Sequence, residues 1–132
     1  MTLLVPNASE VIMLENFLNK TAPQDLILRL YSSDTTPAET DTDATYTETS
    51  GGGYAEVALT AASWSVTPGN PTTASYPEVT FTFTGAAGNV YGYYIVQSVS
   101  GSLMWAERFT NGPFNIQNSG DEIRVTLQIT LE

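Results

Sequence analysis

The stretch NVYGYYIVQS, residues 89–98, constrains the fold most, because apolar side chains occupy both faces of what its composition marks as a β-strand. A strand of a sheet with one solvated face alternates apolar and polar residues. Here Tyr91, Tyr93 and Ile95 point one way, and Val90, Tyr94 and Val96 point the other. Both faces must therefore be covered, either by the chain itself or by a partner.

Most of the chain after Pro23 has the same β-type patterning. Val79, Phe81 and Phe83 alternate with threonines, and the last eleven residues alternate strictly between apolar and polar. Polar, proline-containing stretches at 33–43 and 68–77 read as loops. The predicted strands are 25–32, 45–48, 54–60, 64–66, 78–84, 89–98, 102–109 and 122–132. About eight strands with short connections predict a mainly β protein, an antiparallel β-sandwich of jelly-roll-like type.

One segment, PNASEVIMLENFLNK, predicts a helix over residues 8–20. Asn7 and Glu10 have the spacing of a capping box, and Pro23 follows the expected end. Val11, Leu14 and Leu18 fall on one stripe of this helix, preceded by a short apolar arm, Leu3-Leu4-Val5. At 132 residues the chain is expected to be one domain, with the arm and helix at 1–22 and the sandwich at 23–132.

Composition excludes several functional classes. The chain has no cysteine and no histidine, so neither a Cys–His nor a Ser–His–Asp arrangement can be built, and no cofactor motif is present. The formal charge of -10 disfavours contact with nucleic-acid phosphates. No apolar run approaches membrane-spanning length, and the first ten residues do not resemble a signal peptide. We therefore expect a protein that is not an enzyme and has no cofactor, metal, nucleic-acid or membrane partner.

Two further groups of residues leave alternatives open. Asp34, Glu39, Asp41 and Asp43 could supply oxygens to a hard cation, but a solvated acidic loop is the favoured interpretation. The aromatic residues could stack on sugars, or could fill a β core or a subunit interface, which we favour. The aromatic candidates are Tyr46, Tyr54, Trp64, Tyr76, Tyr91, Tyr93, Tyr94 and Trp105.

An ordered set of landmarks gives the chain a family resemblance: NKTA, TPAETDT, GGGY, ASW, TFTFTG, VYGYY, WAERF and GDEIRVT. In this order, from Leu14 to Leu131, they resemble small β-rich virion structural proteins of tailed bacteriophages. Such a resemblance implies a component of the virion, assembled in the host cytoplasm, with no catalytic residues to carry over.

Proteins of this kind are often capsid decoration, or cement, proteins, which commonly sit as trimers on the assembled shell; others belong to tails or fibres. The single domain, the absence of repeats and the N-terminal arm favour cement here. The expected partners are then other copies of the chain, as a homotrimer, and the major capsid protein. The alternative is a tail-associated module that binds glycans or a receptor.

The candidate interface residues follow from these expectations. Leu3, Leu4 and Val5 form an arm that could reach a neighbouring protein, and Val11, Leu14 and Leu18 form the helix stripe. That stripe could instead cap the chain's own sheet. Tyr91 and Tyr93 belong to the two-faced strand, whose second face is covered either by the helix or by another subunit.

Overall fold

A computed structural model describes residues 4–131. One helix, α1 (Asn7–Phe17), precedes a mainly β domain. Its eleven strands are β1 (Leu26–Tyr31), β2 (Val57–Leu59), β3 (Ser65–Thr67), β4 (Thr72–Ser75), β5 (Val79–Thr82), β6 (Gly88–Val90), β7 (Gly92–Gln97), β8 (Leu103–Arg108), β9 (Phe114–Ile116), β10 (Glu122–Val125) and β11 (Gln128–Leu131). The predicted class, an antiparallel β-sandwich with one short N-terminal helix, is confirmed.

The strands form four antiparallel groups. The largest is the sheet β2-β1-β7-β8; the others are β11-β4-β3, β10-β5 and β6-β9. The main core lies between these groups and includes Leu28, Leu30, Phe83 and Ile95, all at most 1% exposed. Burial of these side chains is the dominant favourable term for folding, at about 25 cal/mol per Å² of apolar surface.

The second face of β7 is covered by the chain itself. A second cluster of buried residues lies on that face and contains Tyr31, Tyr46, Tyr94, Val96, Leu103 and Ala106. Tyr46 comes from the acidic segment between β1 and β2, and its ring stacks on Tyr94 with centroids 5.1 Å apart. Both faces of β7 are therefore covered by residues of the same chain, so this strand does not by itself require a partner subunit.

The predicted strand 89–98 is interrupted at Tyr91. Val90 shares the main core with Tyr93 and Ile95, whereas Tyr91 packs with Tyr94 on the other face. The prediction that Tyr91 lies on the same face as Tyr93 and Ile95 is thus wrong. The cause is a change of partner, because β6 pairs with β9 while β7 pairs with β1 and β8.

Other strand boundaries also differ from the predictions. Residues 45–48 do not form a strand: a short 3₁₀ turn occupies Asp43–Thr45, and Glu48 makes only an isolated antiparallel bridge with Tyr31. The predicted loop 68–77 contains β4, which pairs with both β3 and β11. Strand β9 lies in a segment predicted as loop.

The C-terminal alternation 122–132 is also divided. It forms β10, which pairs with β5, and β11, which pairs with β4. Leu127, which is fully buried, lies between the two strands. One alternating segment can thus supply strands to two sheets, because its inward-facing side chains pack in the same core.

Helix α1 is shorter than predicted, and it is capped differently. Pro6 occupies the N-cap position, so the predicted Asn7 cap is wrong. Asn19 adopts a left-handed φ of 56°, and the Lys20 N–H donates to the Glu15 carbonyl oxygen at 2.8 Å. This left-handed terminus ends the helix at Phe17. Within residues 4–131, no helix is long and apolar enough to cross a membrane.

Candidate interaction surface

Helix α1 exposes an apolar face. Val11 is 56% exposed, Leu14 is 61%, Phe17 is 84% and Leu18 is 64%. The side that meets the domain carries Ser9, which is buried, and Ile12, which packs against the main core. The helix therefore does cap its own domain, but with a different stripe from the one predicted. The predicted stripe of Val11, Leu14 and Leu18 faces outward, where apolar patches commonly mark contact sites.

A groove of about 440 Å³ runs between α1 and the last strand, β11. Its walls are apolar except for Glu10 and Thr130; the apolar residues are Val5, Met13, Leu14, Ile129 and Leu131. Leu131 is 69% exposed and extends the surface beyond the core. We call the exposed side chains of α1 together with this groove the apolar face.

The N-terminal arm is tied to the domain rather than free. The Leu4 N–H donates to the Ala106 carbonyl oxygen and the Ala106 N–H donates to that of Leu4, both at 3.1 Å. Val5 packs against the main core, and Pro6 is fully buried. The arm therefore does not extend freely from the domain, because Leu4 is paired with β8 and Val5 packs on the core and lines the groove. A contact of Leu4 or Val5 with a neighbouring protein stays a prediction. Leu3 lies outside the described residues.

Tyr91 and Tyr93, the other predicted interface residues, have different environments. Tyr93 is only 3% exposed, and its hydroxyl donates to Glu107 Oε2 at 2.7 Å. Burial, aided by this carboxylate, raises the pKa of Tyr93. Tyr91 is half-buried beneath the guanidinium of Arg108, which lies 5.1 Å from the ring centroid. Tyr93 is a core residue with little surface to offer a partner, while Tyr91 keeps part of its ring accessible.

Two carboxylates of the acidic loop make separate contacts with the rest of the chain. Asp34 forms an ion pair with Arg108 at 2.6 Å, and Asp41 accepts the Tyr46 hydroxyl at 2.7 Å and the Ala38 N–H at 2.8 Å. Burial and the Asp41 carboxylate raise the pKa of Tyr46. Among residues 4–131, no three acidic side chains converge to hold a metal ion.

The arginines are neutralised locally. Arg29 donates to Glu56 Oε2 at 2.6 Å, Arg108 pairs with Asp34, and Arg124 lies 3.1 Å from Glu122. Of the four basic residues this leaves Lys20, which follows the end of α1. The helix itself carries Glu10 and Glu15 and no basic residue. The charged side chains within α1 are therefore both acidic.

Four of the eight aromatic residues that could have formed a sugar platform are buried in the core. Tyr46, Tyr93, Tyr94 and Trp105 are each at most 5% exposed. Trp64 is half-buried and packs edge-on against Tyr76 and Trp105. The favoured interpretation of the aromatics as core residues holds for these positions.

Comparison with known proteins identifies a family. Residues 7–130 match the family model described as Podophage GP4 fiber I protein gp80. The chain belongs to this family. No curated protein and no solved structure matches it significantly. Membership of a phage fibre family supports a structural role in the virion, in agreement with the sequence resemblance.

Sequence reasoning missed the part of the apolar face that comes from β11. Leu131 was assigned to a continuous strand, where its inward direction implied burial. The strand runs past the end of the core, so that Ile129 is partly buried and Leu131 is exposed. Proximity of the two chain ends, which creates the groove, has no signature in local sequence.

Proposed function

We propose that the chain is a fibre-associated structural subunit of a tailed-phage virion, and that it attaches to a neighbouring virion protein through the apolar face. The observation that carries this proposal is an exposed apolar helix on a chain that belongs to a phage fibre family. Exposed apolar patches of this kind are typical of protein–protein contact sites.

The role requires no chemistry from the chain. A subunit that binds only the assembled structure stabilises that structure by mass action, by about 2.7 kcal/mol per site at a hundredfold excess over Kd. A rigid β domain suits this role because little conformational entropy is lost when a pre-organised surface binds. Burial of the exposed apolar side chains of α1 and β11 would supply the favourable part of the binding free energy.

Capsid decoration is the second candidate, with the major capsid protein as partner. It is supported by the sequence, in which we find no repeat of fixed period such as a fibre shaft would have. In this case particles lacking the protein would burst at lower temperature or under osmotic shock, and added protein would restore them. A fibre-associated subunit would instead leave the heat resistance of the capsid unchanged.

Cryo-electron microscopy of the virion tests the two candidates directly. A fibre-associated subunit predicts density for the domain at the tail or its fibres, in a small number of copies. Density repeated over the whole capsid surface would replace the fibre proposal with the decoration one. Absence of the chain from purified virions, measured by mass spectrometry, would overturn both.

A further inference from the structure

The spacing of the apolar residues on α1 matches the seam of a helix–helix contact. Val11, Leu14 and Leu18 are separated by three and four residues, as at successive a, d and a positions of a heptad. All three are more than half exposed, so the seam has no partner among residues 4–131. Met13 and Leu131 widen this seam on the side of the groove.

Two carboxylates flank this seam. With Val11 and Leu18 at a and Leu14 at d, Glu10 falls at a g position and Glu15 at an e position. These are the positions whose charges determine which helix pairs with which. Glu10 also lines the groove between α1 and β11. A helix seated here would place its own flanking residues next to these carboxylates.

A second copy of α1 is a poor occupant of the seam. A parallel pair places the g residue of one helix opposite the following e residue of the other, which brings Glu10 against Glu15. An antiparallel pair places e opposite e and g opposite g, so carboxylate again meets carboxylate. The nearest basic residue, Lys20, lies beyond the end of the helix, and the whole chain carries a charge of -10. Like charges across such a contact disfavour pairing.

We infer that the apolar face is a docking site for an amphipathic helix of a different virion protein, with Lys or Arg residues beside its apolar stripe. This inference rests on the proposed function and specifies the partner that the virion must supply. Apolar anchors at α1 and β11 provide affinity, as in other helix-in-groove contacts. Glu10 and Glu15 select a basic helix over an acidic one and over another copy of this chain.

Reconstitution onto particles that lack the protein tests the inference. The probe is a purified particle from a deletion phage, mixed with purified full-length protein, and bound protein is quantified after sedimentation. Leu14→Asp should weaken binding by about tenfold or more, as expected for a central anchor. Glu10→Lys should also weaken binding, because it places a like charge next to the basic residues of the partner. Both residues are exposed, and an unchanged melting temperature would verify that the variants fold.

The chain offers matched controls. Leu131 and Val66 are both 69% exposed and lie on the two opposite edge strands of the sheet β11-β4-β3. Leu131→Asp should weaken binding, whereas Val66→Asp should not. Asp25→Lys changes the net charge as much as Glu10→Lys does, but Asp25 precedes β1 and is not among the groove residues. It should leave binding within about twofold of wild type, which separates a local contact from overall charge.

The outcomes are distinguishable. If wild-type protein binds particles and the α1 and β11 variants bind equally well, the inference is wrong while the proposed function stands. If Leu14→Asp converts a self-associated protein to monomer, a second copy occupies the face and the inference is overturned. If Glu10→Lys binds particles more tightly, the partner is acidic rather than basic. Wild-type protein that binds no particle overturns the proposed function, and the inference with it.

Discussion

The ring of Tyr31 lies directly against Gly92 across the β1–β7 pair. The two residues are register partners, and a Cβ placed on Gly92 would lie 2.5 Å from the Tyr31 hydroxyl oxygen and 2.6 Å from its Cε1. It would also overlap the Glu107 carbonyl oxygen. The absence of a side chain at position 92 is therefore what lets a fully buried tyrosine cover the second face of the sheet.

Gly92→Ala should destabilise the protein by about 1–3 kcal/mol, the range for overpacking a well-packed core. The methyl group must displace backbone or the Tyr31 ring, and neither is a flexible chain end. The midpoint of urea denaturation measures the change. Gly85→Ala is the matched control, because nothing lies within 4 Å of a Cβ there, and it should be close to neutral. Equal stability of both variants would contradict the packing described at Gly92.

The hydrogen bond between Tyr46 and Asp41 should stabilise the loop whose Tyr46 ring covers the second face of β7. Tyr46→Phe removes a hydroxyl that donates to a carboxylate at 2.7 Å, and we expect a loss of about 1–2 kcal/mol in the free energy of unfolding. A double-mutant cycle with Asp41→Ala, which removes the acceptor, separates the coupling of this pair from the loss of the Ala38 N–H that Asp41 also accepts. A coupling energy near zero would mean that the Tyr46 ring, and not its hydroxyl, holds the loop in place.

Sequence predicted the class of the fold because alternation and turn residues are local properties. The alternation of Val79, Phe81 and Phe83 with threonines was interpreted correctly on that basis, since these three side chains belong to the core or pack against it. Tyr91 was placed on the wrong face because the change of pairing partner depends on β9, which is remote in sequence. The helix was found, but its apolar stripe could not be assigned to core or surface, since Ile12 and Ser9 provide an alternative inner face.

Alkaline pH should unfold the protein through its buried tyrosines. Burial raises the pKa of Tyr31 from 10.0 to about 12. Burial likewise raises the pKa values of Tyr46, Tyr54, Tyr93 and Tyr94. The folded state thus keeps protons that the unfolded state releases, so their stabilising contribution is complete below pH 10.0 and falls as the pH rises above it.

Each such tyrosine lowers stability by about 1.4 kcal/mol per pH unit within its window. For Tyr31 that window runs from pH 10.0 to about 12. Denaturation midpoints measured at several pH values, together with tyrosinate absorbance, report the effect. Tyr31→Phe should reduce the slope, even though it also removes the hydrogen bond to the Thr35 carbonyl oxygen. A stability that is flat across this window would contradict the burial of these side chains.

Chelation should have little effect on the purified protein. The carboxylates of Asp34 and Asp41 are engaged by Arg108 and by Tyr46, so the loop does not need a cation to order it. We expect EDTA to leave the melting temperature unchanged, and added calcium to have no effect. Arg108→Gln, which removes the Asp34 partner, should lower the melting temperature more than EDTA does. A large loss on EDTA that calcium restores would instead identify the loop as a calcium site.

Self-association should not depend on the second face of β7, because Tyr46 and its neighbours cover that face within one chain. A homotrimer is expected from the resemblance to small virion proteins, yet both faces of β7 are already covered within one chain. Sedimentation equilibrium at micromolar concentration should give three times the chain mass for the wild-type protein. Leu14→Asp should give the same mass, because Glu10 and Glu15 make α1 unsuited to pair with itself. A monomeric wild-type protein would contradict the trimer prediction.

A trimer that Leu14→Asp dissociates would show that the apolar face joins copies of this chain and does not bind a basic helix of another protein.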